Sequence, residues 1–180
     1  ALDPILRIEA GMHTATILRV VVDKDEQIMA TVSLDKTVRI WSVKDGTLLR
    51  TIRVPIGGGY EGALYSLDIS PDGTRIVTGG WTGNWDGGWS IYEFDVATGT
   101  MIRHVTKVPN RVNHMAYSPD GKYLAVSMKH PVGNAKDGEG LRIYNTQDFS
   151  VIMDDTDFDS DSVWAEFASD GRLLVTGLDG

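Results

Sequence analysis

A chain of 180 residues with 42% hydrophobic and 23% charged side chains is long enough to bury a core, and it has no apolar run near the roughly 18 residues that a membrane-crossing helix requires. Its net charge is −8 and its 17 basic residues are scattered, which disfavours nucleic acid as a partner; with no cysteine it has no disulfide, thiolate metal site or cysteine nucleophile. No basic segment followed by an apolar one opens the chain, so no secretory leader is visible and a cytoplasmic location is expected, with no membrane partner.

Residues 5–9 read as a detached strand. Strands are then predicted at 16–22, 27–33, 37–43 and 47–54; at 63–70, 75–80, 90–95 and 101–107; at 111–118, 123–128, 141–145 and 150–154; and at 162–168 and 172–176. Each is a short alternating or apolar run closed by turn residues, and nowhere does a 3.6-residue period persist long enough for a helix. One phrase repeats. Leu67-Asp68-Ile69-Ser70-Pro71-Asp72-Gly73 returns as Met115-Ala116-Tyr117-Ser118-Pro119-Asp120-Gly121 and as Ala165-Glu166-Phe167-Ala168-Ser169-Asp170-Gly171. The large apolar residue before each turn (Val22, Ile69, Tyr117, Phe167) recurs after 47, 48 and 50 residues, which signals an array of small antiparallel units.

Gly11-Met12-His13 followed by Asp35-Lys36-Thr37-Val38-Arg39-Ile40-Trp41 resembles a WD-repeat β-propeller blade. The resemblance implies an all-β propeller of four-stranded antiparallel blades. Blade one is placed at 14–54, blade two at 63–107 and blade three at 111–154. An incomplete blade occupies 162–180, and 5–13 carries a detached fourth strand. It also implies a structural hydrogen-bond chain of His13, Ser33 or Thr31, Asp35 and Trp41. The acidic residue usual after the tryptophan is Ser42 here, and the corresponding pairs in the next units are Phe94-Asp95 and Tyr144-Asn145. The wording of 5–13 and 79–83 further resembles bacterial WD-repeat regions joined to caspase-like peptidases, although no peptidase cysteine is present. Such rings usually have about seven blades. The chain is therefore expected to be part of a longer propeller, with the other blades supplied in cis or in trans; self-association through an open edge is the alternative.

Successive turns of an up-and-down sheet lie at opposite ends, so each connection can be assigned to a face. Tight Asp-Gly and Thr-Gly turns share one face, and the long connections 55–62, 81–89, 129–140 and 154–161 share the other. A protein partner is expected on this long-loop face, at Tyr60, Glu61, Trp81, Trp85, Asp86, Trp89, Asp137 and Glu139. Trp85 is its expected exposed anchor, whereas Trp81 and Trp89 equally read as strand ends packed between blades. The glycine pattern at 57–62 leads into a strand and not a helix, so it is not read as a nucleotide loop. Asp155, Asp157 and Asp159 resemble the start of a calcium loop, but Ser160 replaces the required glycine and a solvated acidic loop is expected. No catalytic residue, cofactor or metal is assigned. The expected function is a non-catalytic protein-binding platform; the alternative is a lectin or enzyme holding a glycan or small molecule on the same face.

Overall fold

The structure is a computed structural model that describes residues 11–83, 87–129, 140–155 and 161–177. Their regular elements are all strands. The first sheet comprises β1 (Ile17–Val22), β2 (Ile28–Ser33), β3 (Thr37–Ser42) and β4 (Leu48–Arg53); the second, β5 (Ala63–Ile69), β6 (Arg75–Trp81), β7 (Trp89–Asp95) and β8 (Met101–Val108). The third comprises β9 (Val112–Tyr117), β10 (Tyr123–Met128), β11 (Leu141–Asn145) and β12 (Val151–Asp155), and β13 (Ser162–Phe167) pairs with β14 (Leu173–Gly177). Pairing is antiparallel in sequence order within every sheet. No helix among the described residues is long and apolar enough to cross a membrane. The expected strand at 5–9 lies outside the described residues.

The repeated Ser-Pro-Asp-Gly phrase is local turn chemistry. Asp72 Oδ1 accepts hydrogen bonds from Ser70 Oγ at 2.6 Å and from the Thr74 amide at 3.0 Å; Asp120 Oδ1 does the same with Ser118 Oγ at 2.7 Å and the Lys122 amide at 3.1 Å. These bonds hold the Asp120 carboxyl down at about 2. The next residue, Gly73 or Gly121, takes φ near +70°, where a Cβ is penalised.

The innermost strands β1, β5, β9 and β13 pack side by side in that order, so the sheets radiate like propeller blades and the core lies between them. Between the first two sheets it contains Val38, Ile40, Ile52, Ile69 and Phe94; between the second and third, Val77, Ile91, Met115, Leu124 and Tyr144. Ala125, Leu141 and Ile143 meet Ala165, with Phe167 and Val175, in the last interface.

In the first sheet, His13 Nδ1 lies 2.8 Å from Asp35 Oδ2, His13 Nε2 lies 2.7 Å from Thr31 Oγ1, and Trp41 Nε1 donates to that same hydroxyl at 2.8 Å. Of the two hydroxyls that the sequence leaves open, Thr31 carries the chain and Ser33 does not. Ser33 Oγ instead donates to the Ala15 carbonyl at 3.0 Å and accepts the Asp35 amide at 3.1 Å. The reason is register: Trp41 pairs with Met29, which puts Thr31 diagonally beside it and Ser33 a further two residues toward the turn. Burial pushes the Asp35 carboxyl up, but hydrogen bonds from Thr37, Thr14 and His13 outweigh it and hold the group below its ordinary range.

Two expected boundaries move. Trp81 pairs with Ala63 and Trp89 with Val108, so both tryptophans belong to strands and the connection between them is shorter than 81–89. The face of tight turns holds a cleft of about 600 Å³ between the second and third sheets.

Candidate protein-binding face

Each innermost strand carries a bulge at the same place. The ladder skips Leu18 in β1, Tyr65 in β5, Asn113 in β9 and Val163 in β13. A bulge frees a residue from pairing and re-aims its side chain. All four lie at the strand ends on the face of the long connections, and together with Arg19, Arg111 and Asp161 they line a pocket of about 460 Å³ where the innermost strands converge.

The pocket is built from planar groups and hydrogen bonds. Arg111 stacks over the Tyr65 ring at 5.1 Å and donates to Asn113 Oδ1 from Nε at 3.3 Å and from a terminal nitrogen at 3.2 Å. Asn113 Nδ2 donates in turn to the Ser162 carbonyl at 3.0 Å, tying β9 to β13. Arg19 lies over Trp164 at 4.7 Å, and Trp164 stacks on His114 at 3.8 Å. Burial lowers the pKa of Arg19. It also pushes His114 down to about 4, with the nearby Arg19 charge adding to the effect. The Tyr65 phenol is raised by burial, which the Arg111 charge opposes and neighbouring Tyr60 reinforces. Arg19 Nε has no hydrogen-bond partner. A pocket with two guanidinium groups therefore opens on the long-loop face of an acidic protein.

Of the expected binding residues, Tyr60, Glu61, Trp81 and Trp89 are described, and none of them lines this pocket. Tyr60 is 68% exposed beside the half-buried Glu61, in a loop that Lys36 steadies by donating to the Gly57 carbonyl at 3.1 Å. The Trp81 and Trp89 rings meet edge to face at 4.9 Å; Trp89 rests on the core of the second interface and Trp81 is 37% exposed. Trp85, Asp86, Asp137 and Glu139 lie outside the described residues. So do Asp157 and Asp159, while Asp155 ends β12. Among the described residues no group of three or more His, Asp or Glu side chains could hold a metal ion. Arg19, Tyr65, Arg111 and Asn113 escape a reading of loops because they sit at or beside strand starts. Their signal is weak: polar or bulky residues at the same place in successive repeats, where alternation falters.

The WD domain, G-beta repeat family matches residues 9–42 and 46–93. The chain is 25% identical over 176 residues to eukaryotic translation initiation factor 3 subunit I of Scheffersomyces stipitis, covering 93% of this chain and 47% of that protein. The same subunit of Candida albicans is 22% identical over 175 residues, with the same shares of both chains, and that of Aspergillus terreus is 29% identical over 118 residues, 65% of this chain and 32% of the relative. The chain thus spans about half the length, or less, of these relatives. Repeat match and sheet order agree: residues 9–42 and 46–93 match WD repeats, and the described strands form antiparallel sheets, three of them four-stranded, arranged like the blades of a β-propeller.

Proposed function

We propose that this chain is a non-catalytic protein-binding platform, the propeller portion of a subunit in a multi-subunit assembly of the kind its relatives' name denotes, and that partners dock on the long-loop face. The observation that carries the reading is the convergence of four bulged residues on one pocket, on the face that also exposes Tyr60 and Trp81. Exposed aromatic and arginine side chains around a partly desolvated pocket are the composition of a binding hot spot. The relatives named above are initiation-factor subunits, so they lend the reading of an assembly subunit some weight and lend none to a peptidase attachment.

The test is co-purification of the tagged chain from its native extract. Arg111→Ala combined with Trp81→Ala is expected to weaken partner retention at least tenfold with the fold intact by circular dichroism. Asp170→Ala, in a tight turn on the opposite face, should leave retention unchanged. Full retention by the folded double variant would overturn the assignment of this face. Quenching of tryptophan fluorescence by glycans, with no protein retained, would favour the lectin reading.

A further inference from the structure

The cleft on the tight-turn face lies at a position that the other blades fill differently. Glu93 pairs with Val77 and Arg103; the same place is Ile40, between Ala30 and Arg50, in the first sheet and Ile143, between Ala125 and Met153, in the third. Arg75 likewise occupies the place of Ile28. Between the first and second sheets these positions close an apolar layer of Ile28, Ile40 and Ile69. Between the second and third they open the cleft of about 600 Å³.

Glu93 is only 1% exposed at the cleft floor, 3.3 Å from an Arg75 terminal nitrogen and 3.5 Å from Arg103 Nε. Arg103 is held in place by donating to the Gln147 carbonyl at 2.9 Å and by lying over Phe149 at 4.9 Å. Arg75 remains nearly half exposed. Tyr117, itself buried, lines the same cleft with a hydroxyl that has no hydrogen-bond partner. Two guanidinium groups against one carboxylate leave the floor with an excess positive charge. Of the rim carboxylates, Asp120 is paired with Lys122 at 3.1 Å, while Asp72, whose Oδ1 accepts hydrogen bonds from Ser70 and Thr74 of its own turn, keeps its charge and offsets part of that of Arg75. A buried ion cluster where sister blades place isoleucine costs desolvation, and such a cost is retained where the charges have a task.

We propose that this cleft binds the carboxylate of an acidic side chain on a partner polypeptide, seated between the Arg75 and Arg103 guanidinium groups. The volume suits a few residues of peptide. A single negative charge matches the net charge of Arg75, Arg103 and Glu93 at the floor, which a phosphate dianion would exceed. The site is separate from the long-loop face and stands or falls independently of the docking reading.

The probe is a capped glycine–glutamate–glycine peptide, titrated calorimetrically into the full chain beside its glutamine counterpart and inorganic phosphate. The glutamate peptide is expected to bind at least tenfold more tightly than either. Arg75→Gln, where thermal melting shows it folded, should weaken it at least tenfold. Glu93→Gln, where thermal melting shows it folded, should tighten it several-fold by removing the competing carboxylate. Equal binding of the two peptides, tighter binding of phosphate, or indifference to Arg75→Gln would each overturn the proposal.

Discussion

Thr31 carries two obligations at once, accepting the Trp41 indole N–H and meeting the His13 imidazole at its single hydroxyl. Removing the hydroxyl while keeping the shape, as Thr31→Val, orphans both groups and should cost about 2 kcal/mol, whereas Thr31→Ser should cost less than about 1 kcal/mol; denaturant unfolding of the two variants checks the contrast. Asp68 and His114 supply opposed pH dependences. Burial, with Glu166 adding, raises the Asp68 carboxyl from 3.8 to about 7 despite amide hydrogen bonds from Tyr117 and Ile69. Its contribution to stability is therefore fully present below about pH 4 and lost as pH rises through about 7. His114, lowered from 6.5 to about 4, acts in the reverse sense: its contribution is present above about 6.5 and lost as pH falls toward 4. His114→Phe should thus leave a chain whose melting temperature climbs on acidification from pH 7 to 4. Asp68→Asn should leave one whose melting temperature falls. Parallel behaviour of the two variants would show that these groups do not set the slopes.

At the level of the strands, the bulge that presents Tyr65 depends on the glycine facing it. Gly80 has φ +155°, and a Cβ there would stand 2.5 Å from the Ala63 carbonyl oxygen and 2.6 Å from the Tyr65 amide nitrogen. Backbone cannot yield as a flexible side chain would. Gly80→Ala should therefore cost about 3 kcal/mol, well beyond the roughly 1 kcal/mol typical of surface glycine changes, and should release the Arg111–Tyr65 stack; unfolding and the Tyr65 ring resonances report both. The strands themselves are legible in the sequence because alternation and Asp-Gly turns are local. Trp81 and Trp89 read in the sequence either as strand ends or as loop contacts, and pairing with Ala63 and Val108 decides for strand ends. The bulges are hidden from the sequence: a skipped residue is defined by the strand opposite.

For the molecule as a whole, apolar side chains remain exposed on the first, third and last sheets, among them Val20 and Val22 of β1, Ile152 of β12 and Leu174 of β14. Exposed apolar residues beside unpaired strand edges favour association. The 180-residue chain is expected to sediment as concentration-dependent oligomers, and Leu174→Lys to shift the distribution toward monomer. A single monomeric species at every concentration would show that these side chains do not drive contacts between copies.

The repeat, the all-strand content and the blade phrase are determined by the sequence alone, because each rests on spacing within one unit or on turn chemistry a few residues long; the chain of His13, Asp35 and Trp41 through a hydroxyl is what the resemblance of that phrase to WD repeats implies. Thr31 rather than Ser33, the pocket of Arg19, Tyr65, Arg111 and Asn113, and the buried Glu93 between two arginines were decided only by the tertiary structure. Side chains from separate blades meet through cross-strand register, bulges and the packing of one sheet on the next. Arg19 reaches Trp164, and Asp68 the Tyr117 amide, across sequence distances that no local pattern encodes.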